Sequence, residues 1–133
     1  MRMFHYRMKT KRRILVVDDQ PDITRLLKRG LEHTDDYSVR EENDPGAALA
    51  AAQEFKPHLI LLDVMMPGMD GGELAALIRA NPKLKAVPIV FLTAAITKDE
   101  VAEKEGRTGG WPILAKPFSI PEVVACLEQQ LSG

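Results

Sequence analysis

Leu59-Ile60-Leu61-Leu62-Asp63-Val64-Met65-Met66-Pro67-Gly68-Met69-Asp70-Gly71 is an apolar run that stops at a carboxylate and then turns at Pro-Gly. An unbroken apolar run of strand length suits a strand covered on both faces, as in a parallel sheet. The pattern recurs three times. Ile14-Leu15-Val16-Val17 runs into Asp18-Asp19, Val87-Pro88-Ile89-Val90-Phe91-Leu92 into Thr93, and Ile113-Leu114-Ala115 into Lys116-Pro117. Ligands of open parallel sheets bind at the carboxyl ends of the strands. Four separated stretches therefore predict one site.

Helical patterns lie between these runs. Ile23, Leu26, Leu27 and Leu31 have helical spacing, with Pro21 near the start. Asp44-Pro45 reads as an N-cap with proline at the first helical position, leading an alanine-rich segment to Phe55. Leu74, Leu77 and Ile78 form a stripe after Gly71-Gly72 that ends before Pro82, and Ile120, Val123, Val124, Leu127 and Leu131 form the last. Tyr37 to Glu42 is more polar and reads as an edge strand. Thr97 to Glu105 reads as a short charged helix with few apolar anchors. Five strands thus alternate with five helices, and right-handed crossovers predict an α/β fold, a parallel sheet with helices on both faces.

The 133 residues fit one domain, with 45% hydrophobic and 28% charged residues as in an ordinary globular protein. The net charge of −1 conceals an asymmetry. Arg2, Arg7, Lys9, Lys11, Arg12 and Arg13 face no acid within residues 1–13, and setting those six cations aside leaves −7 on the rest. Residues 1–12 read as a disordered basic arm, and residues 13–132 as the folded domain. The acidic body gives no reason to expect direct nucleic-acid binding. No apolar run has the length of a membrane span, so no membrane contact is expected, and the cytoplasm is the expected location. Cys126 is the sole cysteine and lies on the apolar stripe of the last helix, where a buried thiol is expected.

Asp18 and Asp19 after one strand and Asp63 at the end of another would bring three carboxylates together. Crowding raises their pKa values unless a cation is shared, and hard oxygen donors suit Mg²⁺. Taken singly, Asp18-Asp19 could cap a helix and Asp63 could end a strand. Taken with Thr93 and Lys116, they read as a phosphate- and metal-handling site.

At this point the chain resembles the receiver domain of bacterial response regulators, the phosphoacceptor module of two-component phosphorelay signalling. The resemblance rests on Ile14 to Asp19, Leu61 to Gly71, Leu92-Thr93-Ala94 and Ala115-Lys116-Pro117-Phe118, and covers about residues 13–131. It implies a flavodoxin-like (βα)5 fold with strand order 2-1-3-4-5. It also implies that Asp63 accepts a phosphoryl group from a histidine kinase or histidine phosphotransfer protein. Mg²⁺ would be held by Asp19, Asp63 and the Met65 backbone carbonyl, and by Asp18 largely through water. Lys116 would pair with a phosphoryl oxygen, and the Thr93 hydroxyl would bind another. Pro67 and Gly68 would shape the loop after Asp63, and a cis bond before Pro117 would point Lys116 into the site. The module is a switch rather than an enzyme. Its output surface, formed by the fourth helix, fifth strand and fifth helix, would meet a downstream effector protein, and the chain would be a monomer or weak dimer.

Two features depart from the family pattern. Ile113 stands where receivers carry Tyr or Phe three residues before the lysine, and Gly106 to Pro112 is a long glycine-rich connection, read as a flexible loop with Trp111 as its anchor. Trp111 reads as packing over that corner or, alternatively, as a partner contact, and it is also expected to substitute for part of the missing aromatic. Met65 and Ala95 occupy the positions that tune dephosphorylation, and neither can position an attacking water, so slow self-hydrolysis is expected. Two other readings fit these residues less well. A Mg²⁺-dependent phosphohydrolase of flavodoxin-like fold would need a second acid near Asp63 and an inserted cap. A pseudo-receiver acting only by protein contacts would not need Asp19, Asp63, Thr93 and Lys116 intact. Flavin binding does not fit a first loop that carries acids where a phosphate cradle needs glycines and hydroxyls.

Overall fold

Side chains alternate between the two faces of a strand, and here both faces are covered. The computed structural model describes residues 10–94, 107–108 and 111–132. The sheet contains β1 (Arg12–Val17), β2 (Tyr37–Glu42), β3 (Leu59–Asp63), β6 (Ile89–Thr93) and β8 (Trp111–Ala115). Their spatial order is β2-β1-β3-β6-β8, all parallel. This is the predicted 2-1-3-4-5 order, with Tyr37–Glu42 at the edge as expected.

Leu15, Val17, Ile60, Leu62, Ile89, Phe91 and Ile113 face α2 (Ala48–Phe55) and α3 (Gly71–Ala80). Ile14, Val16, Leu59, Leu61, Val90 and Leu92 face α1 (Pro21–Glu32) and the C-terminal helix (Ile120–Leu131). That two-sided cover is why the strands read as unbroken apolar runs. Ser119 caps the C-terminal helix by accepting the Glu122 N–H, while the Glu122 carboxylate accepts the Ser119 N–H. Cys126 packs against the second cluster, and burial pushes its thiol up to about 11. No helix among the described residues is long and apolar enough to cross a membrane.

Several local expectations change. In α1 the buried line is Thr24, Leu27 and Leu31, and Leu26 points outward at 49% exposure. In α3 it is Leu74, Ala75 and Ile78, and Leu77 is likewise 49% exposed. Adjacent apolar residues sit about 100° apart on a helix, so only one of each pair reaches the sheet. Asp44 does cap, accepting the Gly46 N–H at 2.9 Å, but Pro45–Ala47 forms a 3₁₀ turn and the α-helix begins at Ala48. In the connection expected to be a flexible loop, β7 (Arg107–Thr108) pairs antiparallel with Trp111–Pro112 and extends the sheet by one short strand. Residues 1–9 of the arm, Ala95, the 97–105 helix and Gly106, Gly109 and Gly110 lie outside the described residues.

The amino end of β3 is locked to β1 by a reciprocal pair. The His58 N–H donates to the Arg13 carbonyl at 2.7 Å, and His58 Nδ1 accepts the Arg13 N–H at 2.8 Å. An imidazole nitrogen that accepts must be unprotonated. Burial, aided by the Arg13 and Arg12 charges, holds the His58 pKa below its ordinary 6.5. The folded state thus binds fewer protons than the unfolded one around this value. Its contribution to stability is present above pH 6.5 and is lost as pH falls through the lower folded value. His58→Leu is expected to cost about 1 kcal/mol at pH 7.5. It should also flatten the fall in urea-unfolding free energy between pH 7.5 and 5.

Candidate functional site

The register brings the polar strand ends together. Val17 pairs with Leu62, Asp63 with Leu92, and Thr93 with Ala115. Asp18, Asp63, Thr93 and Lys116 therefore emerge side by side along one edge of the sheet.

Asp18 is 0% exposed, and each of its carboxylate oxygens accepts a hydrogen bond. Oδ1 accepts the Gln20 N–H at 3.0 Å and Oδ2 accepts from Lys116 Nζ at 2.8 Å. The Asp18 carbonyl accepts from Asn43 Nδ2 at 2.8 Å, and the same nitrogen donates to Thr24 Oγ1 at 3.0 Å. Thr24, itself fully buried, donates to the Pro21 carbonyl. This clamp fixes the turn from β1 into α1.

Asp63 is 5% exposed. Its Oδ1 lies 3.6 Å from Lys116 Nζ and accepts the Met65 N–H at 3.4 Å. Asp19 is partly exposed, and oxygens of the three carboxylates lie within 4.8 Å of one another. Burial, and then the Asp18 charge, push the Asp63 pKa up to about 6, against the opposing pull of Lys116 and the Met65 N–H, and Asp19 adds a little more. Three carboxylates facing one ammonium leave uncompensated negative charge in a recess lined with hard oxygen donors. That chemistry fits a divalent cation of the Mg²⁺ type.

Thr93 ends β6, nearly buried, and its carbonyl accepts the Lys116 N–H at 2.8 Å. The Lys116–Pro117 bond is cis, as expected. The lysine ammonium lies closer to Asp18 than to Asp63 and also reaches Gln20 Oε1 at 3.4 Å. Asp18 is thus a direct partner of Lys116.

After Asp63 the chain forms a small hairpin, β4 (Met65–Met66) against β5 (Met69–Asp70). Its two-residue turn is Pro67-Gly68, with Gly68 at φ 80°. Proline followed by a residue of positive φ is the type II turn combination. Met65 is 70% exposed. Asp70 then caps α3 by accepting the Gly72 N–H at 2.7 Å. Gly71 allows no side chain, because a Cβ there would lie 2.4 Å from the Asp63 carbonyl oxygen and 2.8 Å from Val64 Cα. Gly71→Ala is expected to displace the Asp63 backbone and to cost about 1–3 kcal/mol. Thermal melting checks the stability, and amide shifts of Asp63 and Val64 check the displacement.

Ile113 is buried in the core opposite Phe91. Trp111 packs edge-on to Phe91, with centroids 5.5 Å apart, and under the Arg79 guanidinium at 4.9 Å. Trp111 thus packs against Phe91 and α3, whereas the 97–105 side of the expected corner lies outside the described residues. Gln20, Thr24, Asn43 and Gly71 were not foreseen. Asn43 had a signal, since it too is a polar residue directly after a strand.

The family model for the response regulator receiver domain matches residues 14–128. Transcriptional regulatory protein ResD of Bacillus subtilis is 44% identical over 114 residues, 84% of this chain and 45% of that protein. The DNA-binding response regulator MtrA of Mycolicibacterium smegmatis is 38% identical over 122 residues, 91% of this chain and 51% of that protein. The chain thus spans about half the length of these relatives. Among solved structures, chemotaxis protein CheY4 of Vibrio cholerae superposes with a TM-score of 0.77 at 29% identity, over 90% of this chain and 98% of that one. The signal receiver domain of a histidine kinase from Syntrophus aciditrophicus gives 0.74 at 29% identity, over 91% and 90% of the two chains. With the strand order, the cis Lys116–Pro117 bond and the acidic recess in agreement, this chain belongs to the response regulator receiver domains of two-component signalling.

Proposed function

We propose that this chain is a phosphoacceptor in which Asp63 takes a phosphoryl group from a histidine kinase or histidine phosphotransfer protein. The observation that carries the proposal is the recess itself, a nearly buried Asp63 flanked by two further carboxylates and one ammonium. Asp63 Oδ forms the new bond to phosphorus, and the bond from phosphorus to the donor's imidazole nitrogen breaks, leaving the electron pair on that nitrogen. A carboxylate needs no general base for this step, since it is already ionised. The obstacle is repulsion between two anions. Mg²⁺, held by Asp18, Asp19, Asp63 and the Met65 carbonyl, would supply charge neutralisation and alignment.

Lys116 turns from Asp18 to a phosphoryl oxygen as a point charge. The Thr93 hydroxyl binds a second oxygen. Pro67 and Gly68 hold the loop beside Asp63. Met65 and Ala95 offer no acid or amide to an attacking water, so the phosphorylated form is long-lived. With isoleucine at position 113, the Phe91–Trp111 pair carries part of the signal from Thr93 to the effector surface.

The test is intact mass after treatment with a small acyl phosphate and Mg²⁺. One added phosphoryl group is expected, absent from Asp63→Asn and absent when Mg²⁺ is chelated. A wild type that takes up none, from small donors or from a competent kinase, refutes the proposal.

A further inference from the structure

A feature that the phosphoacceptor site does not explain lies at the other end of the sheet. A cleft of about 800 Å³ opens between the end of α2 and the turn that follows α3, and Gln53, Lys56, Pro57, Asn81, Lys83 and Leu84 are among its lining residues. Pro57 lies just before β3, whereas Asp63 ends it. Five residues, His58 to Leu62, separate Pro57 from the phosphoacceptor, a span of roughly 20 Å at the rise of a strand. The size is that of a small-molecule site.

Both walls are held in place by hydrogen bonds. In the turn, the Leu84 and Lys85 N–H groups donate to the Asn81 carbonyl at 3.0 and 2.9 Å, and the Lys83 N–H donates to Asn81 Oδ1 at 2.9 Å. Arg79 Nη1 fastens the far end, donating to the Lys85 carbonyl at 2.9 Å and the Val87 carbonyl at 2.6 Å. Across the cleft, Arg13 Nε donates to the Lys56 carbonyl at 2.9 Å, fixing the left-handed residue that ends α2. A ligand therefore meets walls already ordered, which lowers the cost of binding.

The chemistry is divided. Pro57 and Leu84 are buried and form an apolar floor. Lys56 and Lys83 are exposed at the rim, and neither ammonium has an ion pair among the described residues. The neighbouring acid Glu54 is engaged by Arg40. The rim is thus a cationic spot on a body whose residues 14–133 carry a formal charge of −7. Such a spot steers anions to itself.

We propose that this cleft is a second binding site, distinct from the phosphoacceptor, for a small amphiphilic anion whose apolar ring body covers Pro57 and Leu84 while its negative group lies between Lys56 and Lys83. The proposal does not depend on phosphorylation of Asp63.

Anilinonaphthalene sulfonate is the probe, titrated into the full chain and followed by amide chemical shifts. Saturable shifts are expected at Gln53, Leu84 and Val87. Affinity should fall about tenfold in the pair Lys56→Glu/Lys83→Glu and by a smaller factor in Lys56→Gln/Lys83→Gln. Melting curves should show both variants folded, and either variant alone suffices for the test. Sulfate and uncharged phenylnaphthylamine should each bind more weakly than the probe, since each lacks half of the match. Shifts confined to other residues, unchanged affinity in a folded variant, or sulfate binding as well as the probe would overturn the proposal.

Discussion

Asp63→Asn is expected to be more stable than the parent chain at pH 8 without Mg²⁺. The Asp63 pKa is raised from 3.8 to about 6 by burial and by Asp18. Between those values the folded state binds more protons than the unfolded state. Stability is therefore full below pH 3.8 and is lost as pH rises through about 6. Above that, the ionised carboxylate is a net cost of about 3 kcal/mol at most, two pKa units at 1.36 kcal/mol each. Asparagine keeps the shape and removes the charge, and because the value of about 6 already includes the pull of Lys116, the expected gain is about 1–3 kcal/mol. Urea unfolding at pH 8 measures it. The gap should narrow towards pH 4, and Mg²⁺ should narrow it at pH 8 by stabilising the parent alone. A variant no more stable than the parent at pH 8 would show that the site tolerates its crowded charge.

Lys116→Met should have the larger effect, in the opposite direction. Its ammonium is 2.8 Å from the carboxylate of Asp18, a residue with no solvent exposure, and 3.6 Å from that of Asp63. Removing one partner of a buried pair leaves a charge with neither water nor counterion, at a cost of about 3–5 kcal/mol. The second carboxylate in reach places the expectation at the upper end. Asp18→Asn/Lys116→Met should recover most of the loss, because both charges then leave together. The coupling from a double-mutant cycle is expected to exceed about 2 kcal/mol. A near-zero coupling would mean that the Gln20 N–H and solvent suffice for Asp18.

The strand ends were legible because burial and chemistry impose opposite demands on adjacent residues. Ile14 to Val17 must be apolar to sit under helices on both faces, whereas Asp18, equally buried, is polar because it faces Lys116 rather than the core. The change of character marks the site without any knowledge of the fold. Helix facing was less legible. Leu26-Leu27 and Leu77-Ile78 each offer two apolar neighbours, and composition does not say which one meets the sheet. Within the site, residue types were readable but partner choice was not. Whether Lys116 rests on Asp18 or Asp63 depends on less than 1 Å of placement, the difference between 2.8 and 3.6 Å. Gly71 escaped for a related reason. Its constraint is the nearness of the Asp63 carbonyl, a contact that the pattern Asp70-Gly71 does not reveal.

The hairpin after Asp63 has a consequence for how such a chain diversifies. Val64 is pinned on both sides, its N–H donating to the Leu92 carbonyl at 3.0 Å and its carbonyl accepting the Gly71 N–H at 2.8 Å. Pro67-Gly68 closes the hairpin between those anchors. The backbone from Asp63 to Gly71 is thereby a self-contained cassette, while the Met65 side chain projects outward from it. Substitution at that outward position changes the side chain displayed beside Asp63 and leaves the backbone that mounts it untouched. Backbone mounting and displayed side chain can then drift independently within nine residues of chain.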